Sequence, residues 1–198
     1  MLCGKINKNA RVDCANPLVS GVKDRLILIN HEDWESATIT YDPANPLLIT
    51  DIALPAGTKA YVYEGLNGSV EPSDNLVVAD AVYPLYTHQV VYRVFSASAN
   101  AKQQLEKKTL GRFVSIVENN GRGNSAFELR GDYVGLKVTA LTRTKKDTAT
   151  QGAFVVTLAT PENEGEPHLP ATVFSTTYAA TKTLIDSLID NSDVPAGG

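Results

Sequence analysis

The chain has 198 residues, 43% hydrophobic and 20% charged, which suits one packed core and excludes a disordered tail. Its longest apolar runs are as short as Leu26–Ile29, too brief for a membrane-spanning helix, and its two cysteines are too few for a disulfide scaffold. With 18 basic residues against 22 acidic ones the net charge is −4, the wrong sign for a domain that grips a nucleic-acid backbone.

Met1-Leu2-Cys3-Gly4-Lys5 has no apolar stretch behind it, so no signal peptide is expected and a cytoplasmic site of synthesis is. Residues 1–24 are punctuated by Asn7, Asn9, Asn16-Pro17 and Gly21 and read as an N-terminal arm. Arg25 to Asn30 is a nearly continuous apolar run, as expected of a strand buried on both faces. Ser36 to Tyr41, Pro46 to Ile52 and Lys59 to Glu64 follow as short β-branched or alternating segments. Asp42-Pro43, Pro55-Ala56-Gly57 and Gly65 end them in turn, so an antiparallel sheet is the expectation.

Gly65 to Asp74 reads as a polar loop, and Leu76–Ala79 and Thr87–Phe95 as strands either side of Tyr83-Pro84. Ser98 to Leu110 carries strong helix formers between an N-cap serine and Gly111, with a thin apolar stripe at Ala101 and Leu105. Arg112 to Glu118 is the strongest buried-strand candidate and returns through a glycine-rich tip to Phe127-Glu128-Leu129. Tyr133–Leu141 and Ala153–Ala159 alternate and form a predicted pair. Val134, Leu136, Val138 and Ala140 share one face of the first, and Phe154, Val156 and Leu158 one face of the second. Thr142 to Gln151 between them is polar and basic, Pro161 to Pro170 is an acidic Pro/Gly loop, and Ser175 to Asp190 is a second helix. That helix carries Tyr178, Thr181, Ile185 and Leu188 on one stripe, widened by Leu184 and Ile189. Residues 191–198 read as a tail.

No catalytic constellation emerges. Gly121-Arg122-Gly123-Asn124-Ser125-Ala126 has the spacing of a dinucleotide loop, but strand-like residues follow it where a helix is required, so it reads as a hairpin tip. His31, His88 and His168 are scattered, Cys3 and Cys14 have no second pair, and no G-x-S-x-G elbow occurs. Glu162, Glu164 and Glu166 lack the glycine and terminal glutamate of a calcium loop. Asn67-Gly68-Ser69 is a glycosylation sequon without a secretory route. Tyr41, Tyr61, Tyr63, Tyr83, Tyr86 and Tyr92 sit in strands mostly apart from basic residues, as core or interface residues do. No cofactor and no metal is expected.

Charge is segregated along the chain. Residues 1–30 carry net +3, 31–91 net −8, 92–148 net +6 and 149–198 net −5. Such blocks either meet their complements on other copies or fold together and cancel within one subunit.

The order from Leu105 onward carries a resemblance. A polar helix precedes Gly-Arg-Phe-Val-Ser-Ile-Val-Glu-Asn-Asn (111–120), a glycine-rich tip and Phe-Glu-Leu-Arg-Gly-Asp-Tyr-Val-Gly-Leu (127–136). Thr-Gln-Gly-Ala-Phe-Val-Val-Thr-Leu-Ala-Thr-Pro (150–161), Glu-Pro-His-Leu-Pro (166–170) and a C-terminal helix complete it, with Asp13-Cys14 and Leu26–Asn30 in keeping. This resembles structural proteins of tailed bacteriophages, and among them the major tail tube proteins of phages of Bacteroidetes-type hosts. The fold expected is α+β, mainly antiparallel β: a single-domain β-sandwich or half-barrel over residues 1–198, with one mid-chain and one C-terminal helix. The resemblance implies a non-enzymatic virion protein, assembled in the host cytoplasm, that forms ring-shaped oligomers of about six copies. Sheets joined edge to edge would make an inner barrel, and stacked rings a channel through which genomic DNA passes without specific contacts. Other tail proteins would be its partners, and no membrane. It further implies inter-ring contacts in the charged loops: Arg143, Lys145 and Lys146 on one side, Glu71, Asp74, Glu162, Glu164 and Glu166 on the other. Carboxylates lining the channel would keep DNA from sticking, because Lys and Arg contacts create phosphate affinity. A tail terminator, connector or capsid decoration protein is the alternative within virions, and a carbohydrate- or receptor-binding sandwich the alternative outside them.

Overall fold

The computed structural model describes residues 9–10, 14, 19–66, 68–77 and 84–190. Its elements in chain order are β1 (Val22–Asn30), α1 (His31–Glu35), β2 (Thr38–Asp42), β3 (Asn45–Ala53), β4 (Tyr61–Glu64) and β5 (Val70–Val77). Then come β6 (Leu85–Val94), α2 (Ala99–Lys108), β7 (Phe113–Asn119), β8 (Phe127–Arg130), β9 (Lys137–Arg143), β10 (Phe154–Ala159), β11 (Ala171–Val173) and α3 (Tyr178–Leu188). The chain is α+β and mostly antiparallel, and its sheets form a sandwich.

The larger sheet has seven strands in the order β2-β3-β11-β8-β7-β1-β4, and the smaller has four in the order β5-β6-β10-β9. Both faces of the larger sheet are covered. Ile27, Ile29, Val114, Ile116 and Phe127 pack with Ile185 and Leu188 of α3 on one side. Leu26, Leu28 and Val117 pack with Val90, Tyr92, Val156 and Leu158 of the smaller sheet on the other. This is why Leu26–Ile29 reads as an unbroken apolar run: alternate residues enter two different cores.

Both expected helices form. Ser98 Oγ accepts the Ala101 N–H at 3.2 Å to cap α2, and Thr177 Oγ1 accepts the Ala180 N–H at 3.1 Å to cap α3. Thr181, Ile185 and Leu188 are the buried stripe of α3, as the sequence pattern predicts. The glycine-rich segment 121–126 is a hairpin tip between β7 and β8.

Four local readings need correction. Residues 22–24 belong to β1, not to the N-terminal arm. Val70–Asp74, expected in a loop, is the first half of β5. The Ser69 carbonyl accepts from Arg93 N, so alternation along the ladder places Pro72 opposite Val90 in a non-hydrogen-bonded pair. Its missing N–H would have pointed away from β6, and an edge strand accepts it there. Tyr133–Leu136 is a turn rather than the start of β9, and the register shift opposite Thr157 and Leu158 turns Ala140 to the face opposite Val138. Gly135 adopts φ +72°, and a Cβ there would meet the His31 ring at 2.8 Å. Finally α1 has no sequence signal: its Asn30 N-cap makes no side-chain cap bond, and tertiary bonds hold the turn instead. Trp34 Nε1 donates to Asp132 Oδ1 at 2.8 Å, and His31 N to the Arg112 carbonyl at 2.9 Å. Residues 78–83, which include the rest of the Leu76–Ala79 reading, and the 191–198 tail lie outside the described residues.

Candidate assembly surfaces

Two sheets of finite width leave four edges, and they are not equally guarded. The ladder that holds β2 to β3 shifts register twice, between Thr40 and Tyr41 and between Tyr41 and Asp42, with the extra residues on β3. β4 is four residues long, and the chain leaving α3 covers its start: Ala60 N donates to the Leu188 carbonyl at 2.8 Å and Asp190 N to the Ala60 carbonyl at 2.9 Å. These are ordinary devices that blunt an edge. The smaller sheet is more open. β5 is eight residues long and ends with Leu76 at 54% exposure and Val77 at 36%. β9 is exposed at all but one of its seven positions, and Leu141 is among those exposed.

The face of this smaller sheet that points away from the sandwich follows from register. It presents Ser73, Asn75 and Val77 of β5, Leu85, Thr87, Gln89 and Val91 of β6, Val155, Thr157 and Ala159 of β10, and Ala140 and Thr142 of β9. These residues are exposed or half-exposed. The charges on the face are Glu71, Arg93 and Lys137, the first two paired at 3.3 Å. It is therefore a surface of short, mostly uncharged side chains.

The charged residues expected at contacts fall into two groups. Most are engaged within the chain. Asp74 is bound bidentately by Arg130, Nε to Oδ1 at 2.9 Å and Nη2 to Oδ2 at 2.8 Å. Glu164 is bound the same way by Arg112, at 2.6 and 2.8 Å. Arg143 donates to the Gly152 carbonyl at 2.8 Å and stacks on Phe154. Glu166, expected on a solvated loop, is 1% exposed and accepts from the Tyr133 and Val134 N–H groups at 3.0 and 3.1 Å. Burial pushes its carboxyl above the usual range. It pins the 133–136 turn instead of reaching outward. Lys145, Lys146 and Glu162 remain exposed, with no hydrogen bond or ion pair among the described residues.

Much of the segregated charge thus cancels at home. Arg93 and Arg130 of the second basic block pair with Glu71 and Asp74 of the acidic block before it, Arg112 pairs with Glu164, and Arg25 with Asp186. Sequence reasoning missed the centre of this network. Arg130 is 3% exposed, and burial opposes its charge; Asp74 and Glu128 more than offset that, so its pKa lies above the ordinary value. His88 beside it is buried and neutral in character: burial lowers its pKa, Nδ1 accepts from Gly131 N, and Nε2 faces the His168 carbonyl at 3.0 Å. An arginine two residues after a strand glutamate was the available signal, but the strand it binds lies 56 residues away in sequence.

These buried polar groups bound a cavity of about 10 Å³ between Pro46, His88, Asp132, Glu166 and His168, room for one water. Among the described residues no three His, Cys, Asp or Glu side chains are placed to share a metal ion. No described helix is long and apolar enough to cross a membrane. Comparison with known proteins found no matching family model, no matching curated protein and no matching solved structure.

Proposed function

We propose that this chain is a non-enzymatic structural protein of a phage virion, a tail tube protomer that assembles into rings and conducts DNA through their centre. The observation that carries the reading is the smaller sheet, antiparallel throughout, with both edges unpaired and one face uncovered among the described residues. Successive strands reverse from β5 to β9, so β5 of one copy can follow β9 of the next and continue the antiparallel order around a ring. Six copies bring roughly 24 strands, which at about 4.8 Å spacing and about 40° tilt close into a barrel about 24 Å in radius. Short side chains on the inner wall leave an opening for a DNA duplex.

The lining that this reading assigns is sparsely charged rather than acidic: Arg93 and Glu71 pair, which leaves Lys137 as the one unpaired charge per copy among the described residues. Small polar residues, alanine and valine make up most of the outward face. DNA meets one unpaired lysine per copy there, Lys137 at the end of β9, and no cluster of Lys and Arg, which keeps its phosphate affinity low. The sequence resemblance to tail tube proteins points the same way. Negative-stain microscopy of the purified protein at high concentration tests the reading: rings or tubes with a central hole are expected. Sedimentation as a strict monomer at every concentration overturns it, and rings that never stack shift it to a terminator, connector or decoration protein.

A further inference from the structure

The sandwich has two poles, about 23 Å apart along the seven residues of β9. At the Lys137 pole, α1, the turn after α2 and the Tyr133–Val134 turn enclose a cleft of about 720 Å³. Glu32, Asp33 and Glu35 form one wall. Leu110, 88% exposed, and Tyr133, 57% exposed, present uncovered apolar surface beside them. The basic residue of the cleft, Arg112, is already neutralised by Glu164. His31 also lines the cleft, 7% exposed, and its Nε2 has no partner among the described residues. The cleft is therefore acidic, partly apolar and incompletely satisfied.

At the Arg143 pole stands the loop from Thr144 to Gly152. It is built before it meets anything: the Asp147 carboxylate accepts from Ala149 N at 2.9 Å and from Thr150 Oγ1 at 2.8 Å, and Gly152 N returns to the Asp147 carbonyl at 3.2 Å. Gly152 adopts φ +71° with the Lys145 carbonyl 3.0 Å from where a Cβ would sit, so the bend is closed tightly around the lysine backbone. Lys145 and Lys146 stand exposed on this loop with no carboxylate partner among the described residues. A preorganised basic plug loses little entropy on docking.

We infer that the acidic cleft of α1 receives the Lys145-Lys146 loop of a second copy, so that subunits stack head to tail with cleft and plug at opposite poles. Such a contact is heterologous and does not close on itself, so it repeats along an axis. The inference rests on the tube reading and supplies its inter-ring contact, assigning the acidic partner to α1 instead of the Gly65–Asp74 and Pro161–Pro170 loops.

Charge exchange in the full chain tests it, with a thermal melt to confirm folding. Lys145→Glu/Lys146→Glu and, separately, Glu32→Lys/Glu35→Lys are each expected to cut the pelleted tube fraction at least about tenfold while rings persist. The chain carrying all four substitutions is expected to recover tubes. Wild-type tube yield in either double variant overturns the inference and leaves the tube reading intact. So does loss in both doubles without recovery in the fourfold variant. A wild-type protein that never leaves the monomer overturns both.

Discussion

At the scale of single residues, Lys108 is the least expected side chain in the fold. It ends α2, where a cation suits the helix dipole, yet it is only 6% exposed. Its Nζ donates to Tyr92 Oη at 2.9 Å and lies 3.0 Å from the Tyr63 ring centroid, with no carboxylate in contact among the described residues. Burial pushes its pKa down to about 6 and that of Tyr63 up to about 12. Between pH 6 and the ordinary lysine value of about 10.4, the unfolded chain holds a proton that the folded chain does not, so stability rises with pH across that window. Lys108→Met keeps the stem and removes the titrating group. The variant is expected to be more stable than the wild type by about 1–3 kcal/mol at pH 7, with the gain shrinking toward pH 10. Urea midpoints of both proteins at pH 6, 8 and 10 check this. His88, whose pKa burial also lowers, titrates in both proteins and drops out of the difference. A wild-type midpoint that runs parallel to the variant's would show the lysine charged in the fold.

At the scale of elements, the open part of β5 is its second half. Leu76 pairs with Tyr86 in a non-hydrogen-bonded position, and Tyr86 N and O instead exchange bonds with Glu166 at 2.9 Å each. The Leu76 N–H therefore points out from the sheet, as the nitrogen of Pro72 does. Leu76→Pro removes an outward donor and none of the β5–β6 ladder, so the thermal midpoint should hold to within about 5 °C. Ring formation in the microscope is expected to disappear, because a neighbouring β9 would lose its partner. Rings from Leu76→Pro at wild-type yield would remove β5 from the interface. The same element marks where sequence reading ran short. β1 and β7 were legible because both faces are buried and the apolar run is local. α2 and α3 were legible because caps and stripe lie within one turn of each other. The start of β5 was not. Glu71, Pro72, Ser73 and Asp74 look like a loop, and only pairing with β6 and the Arg130 bond to Asp74 make them a strand. For the same reason Asp74 and Glu166 looked like surface charges although their partners, remote in sequence, hold them inside.

At the scale of the whole molecule, the two kinds of contact assigned to assembly differ in physics, and salt should separate them. The contact proposed within a ring is a backbone ladder between β5 and β9, made of neutral N–H and C=O groups. The contact inferred between rings sets Lys145 and Lys146 against Glu32 and Glu35, all on exposed surfaces. Ionic strength acts mainly on the second, since the screening length falls from about 10 Å at 0.1 M to about 3 Å at 1 M. The ion pairs inside the subunit do not compete in this response to the same degree. Arg130, at 3% exposure, holds Asp74 where solvent ions hardly reach, so the β5 edge keeps its shape in high salt. Raising NaCl from about 0.05 to about 1 M should therefore shorten tubes into rings before any ring yields monomer, as sedimentation velocity would record in two steps. Disassembly straight from tubes to monomers at intermediate salt would mean that charge, and not the strand ladder, closes the ring. In that case the exposed lysine loop would have to lie at the lateral contact instead of the axial one.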